Sequence, residues 1–134
     1  MLKDIKIEEV ENIAIAAVPI VNENLYTEWQ VHLINLKNTP ITGVIVSSQG
    51  YGNRNGEEVK TSQLRHFIDT VEPQSHILIE PMIDDVVTLN NEYWVSFYVG
   101  EKIYDKKYLF VQESIRPEFL TQVPVINKKG IMIR

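Results

Sequence analysis

The sequence contains no cysteine, so its fold depends neither on disulfide bonds nor on thiolate metal sites. It also lacks a long apolar run: the longest, Ile13–Val21, is far shorter than the ~20 residues that a membrane-spanning helix needs. Glu8, Glu9 and Glu11 precede this run, whereas a secretory signal begins with positive charge. These absences predict a cytoplasmic protein without a membrane partner.

Positive charge is also scarce, with 13 basic against 18 acidic residues and a formal net charge of −5. Binding to a nucleic-acid backbone needs clustered Lys and Arg, so no nucleic-acid partner is expected. The charge is uneven, because residues 1–100 carry 6 basic and 14 acidic side chains and residues 101–134 carry 7 and 4. The basic end is either a solvated tail or a segment that docks on an acidic surface of this chain or of a partner.

Catalytic motifs are missing as well. There is no cysteine nucleophile and no Gly-x-Ser-x-Gly elbow. His66 with Asp69, and His76 with Glu80, could supply nitrogen and oxygen ligands, but zinc needs three or four converging ligands and no spacing here implies convergence. We therefore expect a non-catalytic protein with neither cofactor nor metal.

The clearest positive signal is a β-hairpin in the second half of the chain. EYWVSFYV at residues 92–99 and IYDKKYLFV at residues 103–111 flank a short turn at Gly100. Aromatic and β-branched side chains favour strands, and glycine favours the turn. The adjacent Lys106 and Lys107 predict an edge position or a bulge for the second strand. The residues expected to face the core are Tyr93, Val95, Phe97 and Val99.

The rest of the chain shows short period-two segments separated by turn formers, and no good amphipathic helix. The predicted strands are residues 13–20, 26–36 and 41–48, one or two strands within 59–71, and residues 76–80. An extended segment through Ile5 and Ile7, a turn at residues 22–24 and one helical turn within 82–87 complete the pattern. It predicts an all-β protein: an immunoglobulin-like antiparallel β-sandwich of seven to eight strands at residues 1–111. Residues 112–134 are expected to be an irregular C-terminal tail that packs on the sandwich or on a partner.

One candidate ligand site centres on GYGNRNG at residues 50–56. The glycines resemble a phosphate cradle, but a strand-like segment follows where a dinucleotide site needs a helix. A flexible hairpin loop is one interpretation. The other is a ligand pocket that joins this loop to residues 65–67, with these binding residues: Tyr51, Asn53, Arg54, Arg65 and His66.

A second candidate site is apolar. Trp94 and Tyr98 share the face opposite Phe97, and they form a partner-binding patch if that face is open. Alternatively, the apolar residues of the tail cover them: Phe119, Leu120, Val123, Val125 and Ile126. Residues 131–133 could add as an edge strand in this chain or in a neighbour's sheet. The predicted partner-binding residues are Trp94, Tyr98, Phe119, Ile131 and Ile133.

Several segments resemble known proteins. WQVHLIN at 29–35, GVIV at 43–46, VEPQS at 71–75, ILI at 77–79 and YWVSF at 93–97 resemble the strand pattern of bacterial immunoglobulin-like domains. This resemblance covers residues 13–111, without the paired cysteines of antibody domains and with Trp29 on the second strand. LINL at 33–36, SQGYG at 48–52, TSQLRHF at 61–67 and NEYWVSFY at 91–98 resemble small uncharacterised bacterial proteins, some labelled phenylalanyl-tRNA synthetase. No synthetase arginine motif is visible, so no catalytic residue is carried over.

The sequence therefore predicts a non-catalytic binding or self-association module, with a homodimer as the simplest form. The first alternative is a small-ligand-binding protein that uses residues 50–56. The second is an accessory factor associated with translation.

Overall fold

A computed structural model describes residues 9–21, 23 and 27–134, and within these ranges the chain forms ten β-strands in two antiparallel sheets. The strands are β1 (Ile13–Val21), β2 (Thr27–Asn35), β3 (Ile41–Arg54), β4 (Glu57–Lys60), β5 (Leu64–Val71), β6 (Ser75–Met82), β7 (Asn90–Val99), β8 (Lys102–Phe110), β9 (Thr121–Val123) and β10 (Lys128–Ile133). A short helix, α1 (Asp84–Val87), and a 3-10 helix at Pro117–Phe119 lie between strands. The all-β sandwich is confirmed.

The first sheet has the strand order β6-β2-β1-β10-β9, and the second has the order β4-β3-β7-β8. β5 also pairs with β3, so β4 and β5 follow each other along one edge of that long strand. The two antiparallel sheets bury their facing apolar side chains between them, as a sandwich requires.

The predicted hairpin is β7–β8, which pairs in continuous register from Asn91 to Val99. Its turn begins at Gly100, whose φ of 60° suits the first central position of a two-residue hairpin turn. The edge position predicted for the second strand is confirmed, because β8 ends the second sheet. The predicted inward residues are confirmed too: Tyr93, Val95 and Phe97 are buried, and Val99 packs against the core.

The C-terminal segment is not irregular, which corrects the sequence prediction. Residues 112–134 contain β9 and β10. The strand expected at residues 131–133 is part of β10, which pairs with β1 of this chain and lies between β1 and β9, so it is not an edge strand. Val123 is buried against the outer face of that sheet, and Val125 and Ile126 pack there as well. This segment therefore covers the first sheet and leaves Trp94 and Tyr98, on the second sheet, exposed. The two added strands, with β4 and β5 separate, account for ten strands where seven or eight were expected.

The predicted loop at residues 50–56 also needs correction. β3 runs through Arg54, and only Asn55 and Gly56 form a turn, both with positive φ as in an Asn-Gly hairpin. Backbone pairing with β7 on one side and β4 on the other outweighs the weak strand preference of the glycines. The helical turn predicted within residues 82–87 is confirmed as α1.

Some predictions lie outside the described residues, namely the segment through Ile5 and Ile7 and the turn positions Asn22 and Asn24. Within the described ranges, no helix has the length and apolar character needed to cross a membrane.

Candidate ligand-binding site

A cavity of about 500 Å³ opens between the two sheets, where the edge strands β5 and β6 face each other. α1 lies beside it and contributes Val86, and the link between β4 and β5 contributes Thr61. Its size falls within the range of about 300–1,000 Å³ that is usual for small-molecule pockets. Most of its wall is apolar, and Leu64, Ile79 and Met82 are among the residues that line it.

One carboxylate, that of Glu80, lies inside this apolar wall because of a β-bulge. The pairing of β2 with β6 runs from Val31 opposite Glu80 to His32 opposite Leu78, so β6 holds one extra residue there. Val31 faces the core, and the bulge turns Glu80 to the same side. Without the bulge, strict alternation after the inward Ile79 would send Glu80 to the outer face.

Three donors converge on the Glu80 carboxylate. The Ser48 hydroxyl donates to Oε1 at 2.7 Å, and His66 Nε2 contacts the same oxygen at 2.6 Å. The Tyr93 hydroxyl donates to Oε2 at 3.2 Å. Burial, followed by the negative charge of Glu80, raises the pKa of Tyr93 well above its usual range, so this phenol stays protonated.

The order of these bonds is not that of a nucleophilic triad. In a triad the imidazole lies between the hydroxyl and the carboxylate and takes the hydroxyl proton. Here the carboxylate of Glu80 is central, and Ser48 and His66 both contact its Oε1. A serine that donates to a carboxylate is fixed in orientation and is not activated by the histidine.

The five predicted ligand residues do not come together. Only His66 lines the cavity. Tyr51 and Asn53 line a separate hollow beside β4, and the Arg54 guanidinium donates to the backbone carbonyl of Asp85. Arg65 is exposed and lies opposite Ser47 in the second sheet.

The five predicted partner residues are also divided. Trp94 and Tyr98 are 47% and 40% exposed on the outer face of the second sheet. Phe119 is exposed in the 3-10 helix. Ile131 and Ile133 are half-buried in β10, where they pair with β1 and pack against the core of this chain.

Sequence reasoning missed Ser48, Glu80 and Tyr93 as site residues. A signal existed for Ser48, because it follows Val44 and Val46 on the inward side of β3. Tyr93 was expected inside, but without a polar partner. Glu80 was considered only as a metal ligand with His76, whereas it contacts His66, and no local signal placed it in the interior.

A pair of histidines lies elsewhere, with 3.2 Å between the Nδ1 atoms of His32 and His76. Within the described ranges, no group of three or more His, Cys, Asp or Glu side chains could hold a metal ion. No protein-family model matches this sequence, and neither a curated protein nor a solved structure shows significant similarity to it.

Proposed function

We propose that this protein binds a small, mostly apolar molecule in the cavity between β5 and β6. The observation that carries the proposal is the carboxylate of Glu80, which a bulge places in an apolar cavity of about 500 Å³. Ligand pockets typically combine an apolar wall with a few well-placed polar groups that fix orientation.

Stability alone does not account for this arrangement. Removing a carboxylate from water costs several kcal/mol in effect, even when hydrogen bonds compensate for part of it. Apolar side chains in place of the whole network, at positions 48, 80 and 93, would fill the space without that cost. A buried charge beside open volume is therefore better explained by a ligand than by packing.

The proposal can be tested by a substitution that reduces the volume of the cavity. Val86→Phe places a larger side chain beside it, and Val111→Phe is the matched control, because Val111 is exposed outside the cavity. The probe is N-phenyl-1-naphthylamine, a neutral dye whose fluorescence rises in apolar surroundings. We expect the wild type and Val111→Phe to bind the dye and Val86→Phe to lose binding, with circular dichroism confirming that both variants fold.

Equal dye binding by all three proteins would overturn the proposal. A third variant, Trp94→Ser, removes the largest exposed aromatic side chain of the second sheet. If it alone abolishes dye binding, the dye binds at that face and the cavity proposal also fails.

A second candidate function is self-association through the outer face of the second sheet. The observation that favours it is the exposure of Phe67 (73%), Trp94 (47%) and Tyr98 (40%) on one open sheet face. Arg65 and Asp105 lie on the same face, so it carries both signs of charge and can complement a second copy of itself.

Because β10 belongs to the first sheet, a point variant is a cleaner test of self-association than deletion of the C-terminal segment. Trp94→Lys is expected to lower the mass in solution from dimer to monomer, and Val21→Lys, at another exposed position, is expected to leave it unchanged. A wild type that remains monomeric at high concentration would refute this candidate.

Two finer assignments are part of the proposal. An immunoglobulin-like sandwich is supported by the strand order, because β1, β2 and β6 lie in one sheet and β3, β7 and β8 in the other, as strands A, B, E and C, F, G do. A cytoplasmic location is supported by the absence of cysteine. The translation-factor hypothesis rests on the sequence resemblance alone and stays a prediction.

A further inference from the structure

We infer that the ligand of the cavity is an apolar molecule that carries a protonated amine. This inference rests on the proposed function and adds the chemical class of the ligand. Its basis is the hydrogen-bonding state of the wall: the side-chain donors are largely engaged within the protein, and the groups left for a ligand are acceptors with a negative charge among them.

The donors nearest the carboxylate are engaged with it. Ser48 and Tyr93 each have a single hydroxyl proton, and both protons go to Glu80. His66 Nε2 contacts Glu80 Oε1 at 2.6 Å, and an ionised carboxylate only accepts, so the ring proton lies on Nε2. None of these protons remains for a ligand.

The donors further along the wall are also engaged, apart from one amide hydrogen of Gln49, whose Nε2 donates the other to the carbonyl of Thr61. Both hydrogens of the Asn91 side-chain amide are used, because Nδ2 donates to the carbonyls of Val86 and Leu89. The Thr61 hydroxyl donates to the carbonyl of Ser62. Ser62 itself is exposed, so solvent can reach its hydroxyl.

At least two side-chain acceptors remain for a ligand. Glu80 Oε2 accepts one bond, from Tyr93, and a carboxylate oxygen has capacity for a second. Asn91 Oδ1 has no donor among the residues that the structure describes.

Charge then separates the possible donors. A ligand hydroxyl satisfies one acceptor without changing the charge, whereas an ammonium group supplies three protons and neutralises Glu80. An aliphatic amine resembles the lysine side chain, whose ordinary pKa of about 10.4 keeps it protonated at neutral pH. A carboxylate ligand would face the charge of Glu80 and a wall of acceptors, and the net charge of −5 on the chain disfavours it further.

The experiment compares three probes with the same eight-carbon chain, namely octylamine, octanol and octanoate. Each is titrated at pH 7 by isothermal calorimetry into the wild type and into Glu80→Gln. For the wild type we expect octylamine to bind about 10- to 100-fold more tightly than octanoate, with octanol between them. Octylamine gains a charge-assisted hydrogen bond to Glu80, whereas the carboxylate of octanoate is repelled by it. In Glu80→Gln we expect the ratio of the octylamine affinity to the octanoate affinity to fall by at least about tenfold.

The outcomes distinguish failure of the ligand class from failure of the proposed binding site. If octanoate binds as tightly as octylamine, and Val86→Phe abolishes both, the ligand class is refuted and the cavity stands as the binding site. If Val86→Phe binds all three probes as the wild type does, the proposed function itself fails. The order of affinities in the wild type decides the ligand class even if Glu80→Gln does not fold.

Discussion

Replacing Glu80 by leucine would test how far the stability of the protein depends on the hydrogen bonds that the buried carboxylate accepts. The side chain of Glu80 is only 13% exposed, and it accepts bonds from Ser48, His66 and Tyr93. The substitution removes the acceptor of three donors and places an apolar side chain in the same space.

The expected loss of stability depends on whether water can reach the donors that lose their acceptor. A buried leucine contributes about 2 kcal/mol by leaving water. Ser48 and Tyr93 are 6% and 1% exposed, so their hydroxyls lose their acceptor in a poorly hydrated place, at about 1–3 kcal/mol each. His66 is more exposed and can be hydrated. Relief of the desolvation cost of the carboxylate and loss of its charge-assisted hydrogen bonds oppose each other, so the remaining contributions leave a destabilisation of about 2 kcal/mol for Glu80→Leu.

Removing the stranded hydroxyls as well should reverse that loss. The triple variant Ser48→Ala, Glu80→Leu, Tyr93→Phe has no unpaired hydroxyl and buries more apolar surface. We expect it to be more stable than Glu80→Leu by at least about 2 kcal/mol, since apolar replacement of a whole buried network is often neutral or stabilising. The double variant Ser48→Ala, Tyr93→Phe is the control, and it should be less stable than the wild type because the carboxylate keeps one donor of three.

Urea unfolding measures all four proteins, with the fluorescence of the buried Trp29 as one reporter. The reasoning is refuted if the triple variant is no more stable than Glu80→Leu, because the loss would then arise from packing. It is also refuted if Glu80→Leu alone is more stable than the wild type.

Three further predictions concern the scaffold. Asn35→Ala should lower the free energy of unfolding by about 2–4 kcal/mol in urea titration, because the fully buried Asn35 amide bridges two turns through three backbone carbonyls. Burial raises the pKa of Tyr108, whose hydroxyl donates to the carbonyl of Ile13, so its contribution to stability is present below pH ~10 and lost as the pH rises further. Tyr108→Phe should therefore flatten the alkaline arm of Tm against pH. Burial, followed by His76, lowers the pKa of His32, so stability should fall as the pH drops below ~6.5, and His76→Gln should reduce that fall in Tm.

The sequence was sufficient for the parts of the fold that depend on neighbours in the chain. The β7–β8 hairpin needs only alternation of side chains and a glycine at the turn, and both are local. The inward positions of Tyr93, Val95 and Phe97 follow from the same alternation. Period-two patterns also located most of β1, β2 and β5.

The C-terminal segment was misjudged because its order comes from a distant strand. Residues 131–133 pair with residues 15–17, more than a hundred positions away. Gly130 permits the close approach, since a Cβ there would lie 2.7 Å from the carbonyl oxygen of Ala17. Pro117 and Pro124 locally predict interruptions of regular structure. No pattern within the segment identifies the strand with which it pairs.

The inward position of Glu80 was not predicted for a related reason, since it also depends on pairing with another strand. Alternation along β6 assigns Ile77 and Ile79 to the core and Glu80 to the outer face, and it fails at the bulge. A bulge depends on how β6 pairs with β2, so no pattern within β6 contains it. It also places a costly carboxylate in the interior, where packing alone favours an apolar side chain. This exception to the alternation rule lies at the cavity where we propose that the ligand binds.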